Sequence, residues 1–512
     1  MINTLAVVLG LAAALYFYLT RTFDYWRRRG VKHDQPWPLF GTNAKNYLMQ
    51  ATIMKMATDT YKKYPGEKVV GYFRSSTPEL VIRDPALAKR VLISDFNSFH
   101  RRGIFPAKHG LEPLQKNQFG ADDDLWRLLR LRMTPAFSSG KLKAMFPLIV
   151  ERTERLQVRL KREVSKKEAI DARDLMARYT TDVIGTVGFG VLSDSLNDED
   201  AAFRQLGLKL VSFNLSRVLK LALKNLLPMF FGHLKFTGDF EGEVVGMVQA
   251  IMQQRNYEPC GRNDFIDLLL ECKKKGAMTG DSIVEVNADG SPKKVSIDMD
   301  AAIMAAQSFV FFVAGFETSS SATSYTLHLL AHHPIVQRKA QEEIDRVLAK
   351  HDNKLSYDSI SELTYLRWCL DESLRIFPSV GFLQRQCVRP YTFPDLKLSI
   401  DPGVIIMIPV EAYQNDPEIF PEPKEFRPER FDPEVFTAEQ KMAYMPFGEG
   451  PRACVGERLG LMQSMAGLTA VLAQFSVSPA PGAPRDPVIN PIGGATQSIK
   501  GGLPLIFHER DI

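Results

Sequence analysis

The sequence predicts a mainly α protein with a small β portion, an α+β fold, preceded by one membrane-spanning helix. Long stretches repeat apolar residues at helical spacing, whereas the strand-like runs are few and short. The first 20 residues carry no charge. Of the 512 residues, 24% are charged and 45% are hydrophobic, which is typical of a globular protein. A net charge of +5 does not indicate a nucleic-acid partner, and five cysteines exclude a disulfide scaffold.

The N-terminus has the features of a membrane anchor. Residues 5–19 form an unbroken apolar run. About 18 residues rising 1.5 Å each span roughly 27 Å, close to the thickness of a bilayer core. Residues 21–29 then carry a net charge of +3, which places that side in the cytoplasm. A cleaved signal peptide, the alternative, usually has its positive charge before the apolar run.

Aromatic and proline residues follow the apolar run. The aromatic residues fit an interfacial belt: Tyr16, Tyr18, Tyr25 and Trp26. Two prolines and a glycine within residues 34–41 predict a stiff, non-helical joint. The chain is thus divided into an anchor at residues 1–20, a basic and proline-rich linker at 21–41, and one further domain at 42–512.

The body is predicted as helices with a few short strands. The helical stretches are residues 142–175, 201–258, 301–330, 335–350 and 361–377. The strands are residues 68–73, 79–83 and 404–409. The polar, Gly/Ser/Asn-rich residues 276–296 are predicted as a surface loop, and the proline-rich residues 416–432 as an extended surface segment.

The most informative stretch is a glycine-rich loop at residues 446–456. Cys454 lies just before a helical pattern that begins near Glu457, so the helix dipole and free backbone N–H groups would stabilise its thiolate. No other Cys or His lies within fifteen residues, which argues against a zinc cluster. A sole thiolate is enough as the axial ligand of a haem iron. Phe447 would then pack against the porphyrin and Arg452 would pair with a propionate; a buried core cysteine is the alternative.

This loop resembles the haem-binding loop Phe-x-x-Gly-x-x-x-Cys-x-Gly of the cytochrome P-450 superfamily, at Phe447, Gly450, Cys454 and Gly456. The resemblance covers nearly the whole chain, because four further signatures stand in the family's order. It implies the cytochrome P-450 fold, with residues 42–512 as a single haem-thiolate catalytic domain. It also implies haem b as the cofactor, with Cys454 as the ligand of the iron.

A second signature lies in the long predicted helix. Residues 314–319 resemble the family's oxygen-activation motif, and Thr318 shares a helix face with Ala314 four residues earlier. Such a threonine bonds to the carbonyl four residues before it and opens a groove beside the haem. Glu317 and Thr318 would deliver protons during oxygen activation. A buried helix with purely local hydrogen bonds is the alternative.

The remaining signatures concern arginines. Glu372 and Arg375 resemble the family's Glu-x-x-Arg helix motif, and Arg430 matches its third member, so these three would form a structural network behind the haem. Trp126 and Arg130 resemble the Trp-x-x-x-Arg helix, whose side chains contact the haem propionates. Arg385 stands where the family places another propionate ligand, and residues 414–417 lack the family's usual His.

The resemblance also implies a substrate pocket and a redox partner. The residues that map onto substrate-contacting regions are Phe105, Leu114, Phe119, Phe311, Val380 and Phe382, with a flexible turn at 493–497. This lining is apolar, which predicts a lipophilic small-molecule substrate. No flavin or nicotinamide module is visible, so electrons would come from NADPH through a separate NADPH-cytochrome P-450 reductase, with cytochrome b5 as an accessory.

Within the superfamily the chain looks most like insect microsomal members that handle plant toxins and insecticides. The expected activity is therefore a monooxygenase that inserts one oxygen atom from O2 into a xenobiotic, on the cytoplasmic side of the endoplasmic reticulum membrane with a single-pass anchor. The alternatives are an endogenous lipid or hormone hydroxylase, a rearranging haem enzyme that needs no dioxygen, and a non-catalytic membrane-tethered haem-binding protein. An intact Glu317–Thr318 pair disfavours the second.

Overall fold

The computed structural model describes most of the chain and confirms the mainly α class with a small β portion. The described residues are 2–105, 111–166, 168–211, 215–238, 240–492, 496–497 and 499–511. The predicted turn at 493–497 falls largely outside them.

Helices form most of the molecule. Their bounds are α1 (Ile2–Thr20), α2 (Tyr25–Arg28), α3 (Ala44–Tyr47), α4 (Ile53–Lys63), α5 (Pro85–Lys89), α6 (Asp123–Met133), α7 (Ser139–Val164), α8 (Ala172–Ile184), α9 (Ala202–Val211), α10 (Leu215–Leu226), α11 (Pro228–Phe231), α12 (Glu241–Gln254), α13 (Phe265–Lys274), α14 (Ala301–His332), α15 (Pro334–Lys350), α16 (Tyr357–Ser361), α17 (Thr364–Ile376), α18 (Val410–Gln414), α19 (Ala438–Ala443) and α20 (Glu457–Gln474).

The strands are short and form small sheets. They are β1 (Val69–Arg74), β2 (Thr77–Ile82), β3 (Ile170–Asp171), β4 (Met278–Val286), β5 (Pro292–Ile297), β6 (Leu383–Gln386), β7 (Tyr391–Phe393), β8 (Leu398–Ile400), β9 (Ile405–Ile408), β10 (Phe475–Pro479), β11 (Val488–Ile489), β12 (Ile499–Lys500) and β13 (Pro504–Glu509). The main sheet has the order β1-β2-β9-β6, with β2 and β9 parallel and the other pairs antiparallel. The three predicted strands are therefore confirmed, and all three lie in this sheet.

The helix α14 runs through the core and packs closely on α8. The Oγ1 of Thr180 on α8 donates to the carbonyl of Phe316 at 2.9 Å. A Cβ at Gly315 would collide with the side chain of Ile184, so this glycine is required by helix packing rather than by the approach of a ligand. The predicted helix at 142–175 is interrupted, because α7 ends at Val164 and the chain then pairs with β13 as β3.

The prediction of a surface loop at residues 276–296 is wrong, since these residues form the antiparallel hairpin β4–β5. The hairpin is held against α6 by Asp124, whose carboxylate accepts hydrogen bonds from the backbone of Ile283 at 2.7 Å and the hydroxyl of Ser282 at 2.8 Å. Gly280 allows close contact with Leu128 of α6. Tertiary contact thus stabilises strands whose polar composition predicted a loop.

The N-terminal segment consists of an exposed apolar helix, α1, followed by a docked turn. Among the described helices only α14 is long and apolar enough to cross a membrane, and it is mostly buried in the core; the described apolar part of α1, Thr4–Thr20, is shorter. The prediction that Trp26 joins an interfacial belt is wrong: its side chain is 0% exposed and its Nε1 donates to the carbonyl of Tyr72 at 3.1 Å. Arg29 bonds to Asp401 at 2.7 Å.

Candidate functional site

The cysteine loop is a tightly constrained turn between α19 and α20. The backbone N–H of Cys454 donates to the carbonyl of Phe447 at 2.8 Å, which closes the loop. Gly450 has a φ of +73°, and a Cβ there would collide with the carbonyl of Leu92. A glycine is therefore required at this position. Helix α20 begins at Glu457, three residues after Cys454, as the sequence predicts.

The Cys454 side chain has an unusual environment. It is exposed, yet burial by the surrounding protein raises the pKa of its thiol, while the Gly456 N–H and the cations Arg130 and Arg102 act to lower that pKa. A side chain that lines an internal space is accessible and is at the same time surrounded by protein, as Cys454 is. The N–H and the two cations favour the thiolate, which is the metal-binding form.

A stripe along one face of α14 is also accessible, although the helix lies in the core. Ala314 is exposed and Val310 and Thr318, one turn to either side, are half-buried, although their neighbours Phe312 and Phe316 are each only 1% exposed. These three share a face because they are four residues apart. The Oγ1 of Thr318 donates to the carbonyl of Ala314 at 2.7 Å, as predicted for a threonine at this spacing.

Helix α20 joins the stripe to the cysteine loop. Gln463 of α20 donates through Nε2 to the carbonyl of Gly315 at 2.8 Å. A Cβ at Gly460 would lie 3.7 Å from the Oγ of Ser319. Helix α20, which starts at the cysteine loop and packs here on α14, therefore brings the exposed Cys454 and the exposed stripe to the same region of the molecule.

Four arginines surround this region: Arg102, Arg130, Arg385 and Arg452. The guanidinium of Arg452 donates to the carbonyls of His100 at 2.5 Å and Ala121 at 3.1 Å and to Asp122 at 2.7 Å, and it lies 4.1 Å from the ring centre of Trp126. Trp126 is thus stacked beneath this cation, on the helix α6 that also carries Arg130.

The other arginines have fewer partners. Arg385 is 2% exposed, and in the part of the chain that the structure describes its Nε has no hydrogen-bond partner. Burial lowers the pKa of Arg452 to about 8, of Arg385 to about 9 and of Arg102 to about 10, with repulsion from neighbouring arginines adding to the effect. Keeping these buried arginines charged costs free energy, so the region favours an anionic ligand that would neutralise them.

These residues fit a haem. Among the described residues no cluster of three His, Cys, Asp or Glu could hold a metal ion. A metal bound by the single thiolate of Cys454 would take its other ligands from a group such as a porphyrin. Two propionates would relieve the repulsion among the arginines, and charge-assisted bonds from arginine to carboxylate are strong. Cys454 would ligate the iron, with Phe447 and Gly456 in the surrounding loop and Ala314 on the opposite wall.

Glu317 lies beside Thr318 but is turned into a buried ion pair. Its carboxylate accepts hydrogen bonds from Arg173 of α8 and from the hydroxyl of Thr496 at 3.2 Å. Arg173 also bonds to the hydroxyls of Ser320 and Ser321. The two proposed catalytic side chains are adjacent, but Glu317 is connected to the C-terminal segment rather than directly to Thr318.

The structure brings together the network predicted behind the site. Arg375 bonds to both carboxylate oxygens of Glu372, at 2.7 and 2.9 Å, and Arg430 donates to the same carboxylate at 3.2 Å. Both Glu372 and Arg375 are 0% exposed. The spare donors of Arg375 reach the carbonyls of Gln414 and Pro423, each at 2.7 Å.

Gln414 fills the place where the sequence lacks the family's usual His. Its Oε1 accepts the N–H of Met445 at 3.1 Å and its Nε2 donates to the carbonyls of Leu374 at 3.0 Å and Arg375 at 3.1 Å. The amide thus connects α17 to the segment that enters the cysteine loop.

The predicted substrate residues fall in different environments. Phe119 is exposed under Arg102, and Phe105, Val380 and Phe382 are half-buried. Leu114 is fully buried. The ring of Phe311 stacks on Phe265 at 4.1 Å between centroids, inside the core, so the structure does not bring it to the exposed stripe of α14.

Arg102 is a site residue that sequence reasoning missed. Its Nη2 donates to the carbonyl of Arg452 at 3.2 Å, and it acts on the Cys454 thiol. The available signal was the pair Arg101–Arg102. Only the structure separates the two, because Arg101 is bound by Asp123 whereas Arg102 faces the site.

Comparison with known proteins agrees with this geometry. The family model for cytochrome P450 matches residues 32–504. Cytochrome P450 6B7 of Helicoverpa armigera is 34% identical over 510 residues, which cover 99% of this chain and 98% of that protein. Cytochrome P450 6a2 of Drosophila melanogaster is 35% identical over 507 residues, which cover 95% and 97%.

Proposed function

The chain belongs to the cytochrome P450 family and is a monooxygenase, and we propose that it inserts one oxygen atom of O2 into a lipophilic xenobiotic such as a plant allelochemical or an insecticide. The family implies haem with a cysteine thiolate ligand, and we assign that role to Cys454. When bound, the haem supplies the oxygen-activating chemistry.

The observation that carries this proposal is the set of four arginines around an exposed cysteine. Arg102, Arg130, Arg385 and Arg452 present more positive charge than Asp122 balances among the described residues. A dicarboxylate ligand resolves that imbalance. Cys454 would hold the iron, and Trp126 would position Arg452 for a propionate.

The residues of α14 would handle protons. Thr318 faces the internal space with its hydroxyl fixed on the carbonyl of Ala314. The hydroxyl both donates and accepts hydrogen bonds, so it can pass a proton while it keeps its position. Glu317, its neighbour in sequence, would supply protons to it.

The substrate class follows from the wall opposite the cysteine loop. The accessible part of α14 presents Phe309, Val310, Val313 and Ala314, which are apolar. Phe105, Phe119, Val380 and Phe382 are further apolar side chains that remain partly accessible. Such a lining binds lipophilic molecules. Leu114 and Phe311 would support the substrate pocket by packing behind its apolar lining.

Electrons would come from NADPH through NADPH–cytochrome P450 reductase, with cytochrome b5 as an accessory. The family generally takes its electrons from a partner reductase, which supports this donor. The apolar side chains of α1 are exposed, among them Leu11 at 66% and Phe17 at 74%, and arginines follow. This supports a single-pass anchor in the endoplasmic reticulum membrane with the catalytic domain in the cytoplasm.

The test is the absorption spectrum of the reduced, carbon monoxide-bound protein. A thiolate-ligated haem shifts the Soret band far to the red, and Cys454→Ala should abolish that band. Cys272→Ala is the matched control, because Cys272 is a buried cysteine of α13. The control should retain the band.

Turnover of a panel of lipophilic aryl ethers with purified reductase then tests the activity. Folded wild-type protein without the band would contradict the haem-thiolate assignment. A normal band without any oxygenated product would contradict the proposed xenobiotic substrate class.

A further inference from the structure

Glu317 is connected through the C-terminal segment to a second acidic residue. The hydroxyl of Thr496 donates to Glu317 at 3.2 Å, and the next residue, Gln497, donates through Nε2 to the Oε1 of Glu411 at 3.2 Å. Glu411 lies on α18 and accepts a further hydrogen bond from Thr58 at 3.2 Å. Two consecutive side chains therefore link two carboxyl groups.

The two carboxyl groups differ in their environment. Glu317 forms an ion pair with Arg173, and since the carboxylate form makes that pair, Glu317 has to receive each proton that it passes on. Glu411 has no arginine against it among the described residues. Burial raises the pKa of Glu411, with Thr58, Gln497 and the nearby Lys55 and Lys62 acting in the opposite direction. Its side chain is half-buried, and it is near the exposed Lys55.

A buried tyrosine hydroxyl lies close enough to both carboxyl groups to feel their charge. Tyr325 of α14 stacks on Phe377 with 4.6 Å between ring centres, and its side chain is 1% exposed. Burial raises the pKa of Tyr325 to about 12; the charge of Arg173 lowers it and the charges of Glu317 and Glu411 raise it further. The hydroxyl is thus within electrostatic range of all three groups.

Two polar atoms in this region lack a partner in the described part of the chain: the Oη of Tyr325 and the Oε1 of Gln497. Buried polar atoms are nearly always hydrogen-bonded, to protein or to ordered water. Gln497 is bonded to Glu411, and Tyr325 is within electrostatic range of both carboxyl groups, so these two unpaired atoms are suited to hold bridging water.

We propose that Glu411, Tyr325 and Thr496 form a proton route that resupplies Glu317 during turnover. This rests on the proposed monooxygenase function. Each turnover consumes O2, one substrate C–H bond, two electrons from the flavoprotein reductase and two protons; one oxygen atom enters the product and the other leaves as water.

The route returns to its starting state after each proton. A protonated Glu317 passes its proton through bridging water to the Oγ1 of Thr318 and returns to the carboxylate that pairs with Arg173. The Glu411 carboxyl then releases its proton through bridging water and the Tyr325 hydroxyl to Glu317, with Thr496 holding the receiving oxygen. Glu411 takes a new proton from solvent, so the net supply is water.

The sharpest test is Tyr325→Phe, which removes the hydroxyl and keeps the stacked ring. Because that hydroxyl has no protein partner in the described chain, a purely structural tyrosine predicts an unchanged or higher melting temperature and full activity. The proton route predicts the same carbon monoxide band and the same substrate Kd, but roughly tenfold less product for each NADPH consumed, with more hydrogen peroxide.

Tyr72→Phe is the matched control. Tyr72 is a buried tyrosine of β1 whose hydroxyl donates to Asn43 at 2.6 Å, so its loss should lower the melting temperature and leave the coupling of NADPH to product unchanged. Glu411→Gln keeps the shape of the side chain but removes the exchangeable proton, and it should reduce coupling as Tyr325→Phe does. Glu411→Asp should restore part of it.

The measurements use full-length protein, reductase and the aryl ether that wild type oxidises fastest. Wild-type coupling in Tyr325→Phe would overturn the proton route, even if Glu411→Gln failed to fold. Failure of the route is distinguishable from failure of the proposed function, since the latter would appear in wild type as a missing band or missing product.

Discussion

Thr318 can be tested against a threonine of the same helix that makes the same local bond. Thr318 and Thr323 each donate to the carbonyl four residues before them at 2.7 Å. Only Thr318 is accessible from the internal space; Thr323 is 0% exposed. Thr318→Val should keep the carbon monoxide band while product per NADPH falls by roughly tenfold or more, because the proton donor is lost.

Thr323→Val removes an equivalent hydrogen bond away from that space and should leave coupling unchanged. Product and hydrogen peroxide measured per NADPH distinguish the two variants. Equal coupling in both would show that Thr318 serves only the helix.

At the scale of residues the sequence indicates the candidate side chains but not their orientation. Cys454 is identified by its loop, and Thr318 by its spacing from Ala314. Glu317 is correctly placed next to Thr318, yet its bond to Arg173 depends on the packing of α8, which no local pattern encodes. Arg102 was missed for a similar reason, since its difference from Arg101 arises from a distant contact with Asp123.

The buried charge network belongs to the scale of elements, because it holds three segments together. Glu372 of α17 is bonded by Arg375, Arg430 and the backbone N–H of Arg427. Glu372→Gln leaves buried guanidinium groups without a full counter-charge and should cost about 3–5 kcal/mol of unfolding free energy. Thermal or denaturant unfolding, with haem content measured in parallel, checks this.

The control is an exposed ion pair of similar chemistry. Lys55 and Asp59 lie one turn apart on α4 with side chains 60% and 44% exposed. Asp59→Ala should cost no more than about 1 kcal/mol. A loss of similar size in both variants would contradict the structural role assigned to Glu372.

Elements with strong periodicity were predicted well, and elements held by tertiary contact were not. The long α14 follows from its composition, and the strands β1, β2 and β9 follow from their apolar runs. The hairpin β4–β5 has mostly polar, exposed residues and depends on Asp124 of α6 for its backbone bonds. A contact of this kind between residues 159 positions apart is absent from any local pattern.

At the scale of the whole molecule, Trp26 fixes the N-terminal segment to the main sheet. Its ring occupies the space left by Gly71, and its Nε1 bonds to Tyr72. Trp26→Ala should therefore cost about 3–5 kcal/mol of unfolding free energy, as for other fully buried large side chains. Denaturant unfolding of protein lacking residues 1–20 measures this without interference from α1.

Trp37, in the same segment, is 67% exposed and provides the control. Trp37→Ala should change stability by no more than about 0.5 kcal/mol. Comparable losses for both tryptophans would mean that the segment is not docked through Trp26.

The docked turn has a consequence for how the enzyme meets other proteins. Only five residues separate the end of α1 at Thr20 from Trp26, a reach of roughly 20 Å at most. With α1 as the proposed anchor, the docked turn would keep the catalytic domain within that distance of the lipid surface. A membrane-bound electron donor would search for it in two dimensions, and it would have to offer its own binding surface close to the lipid.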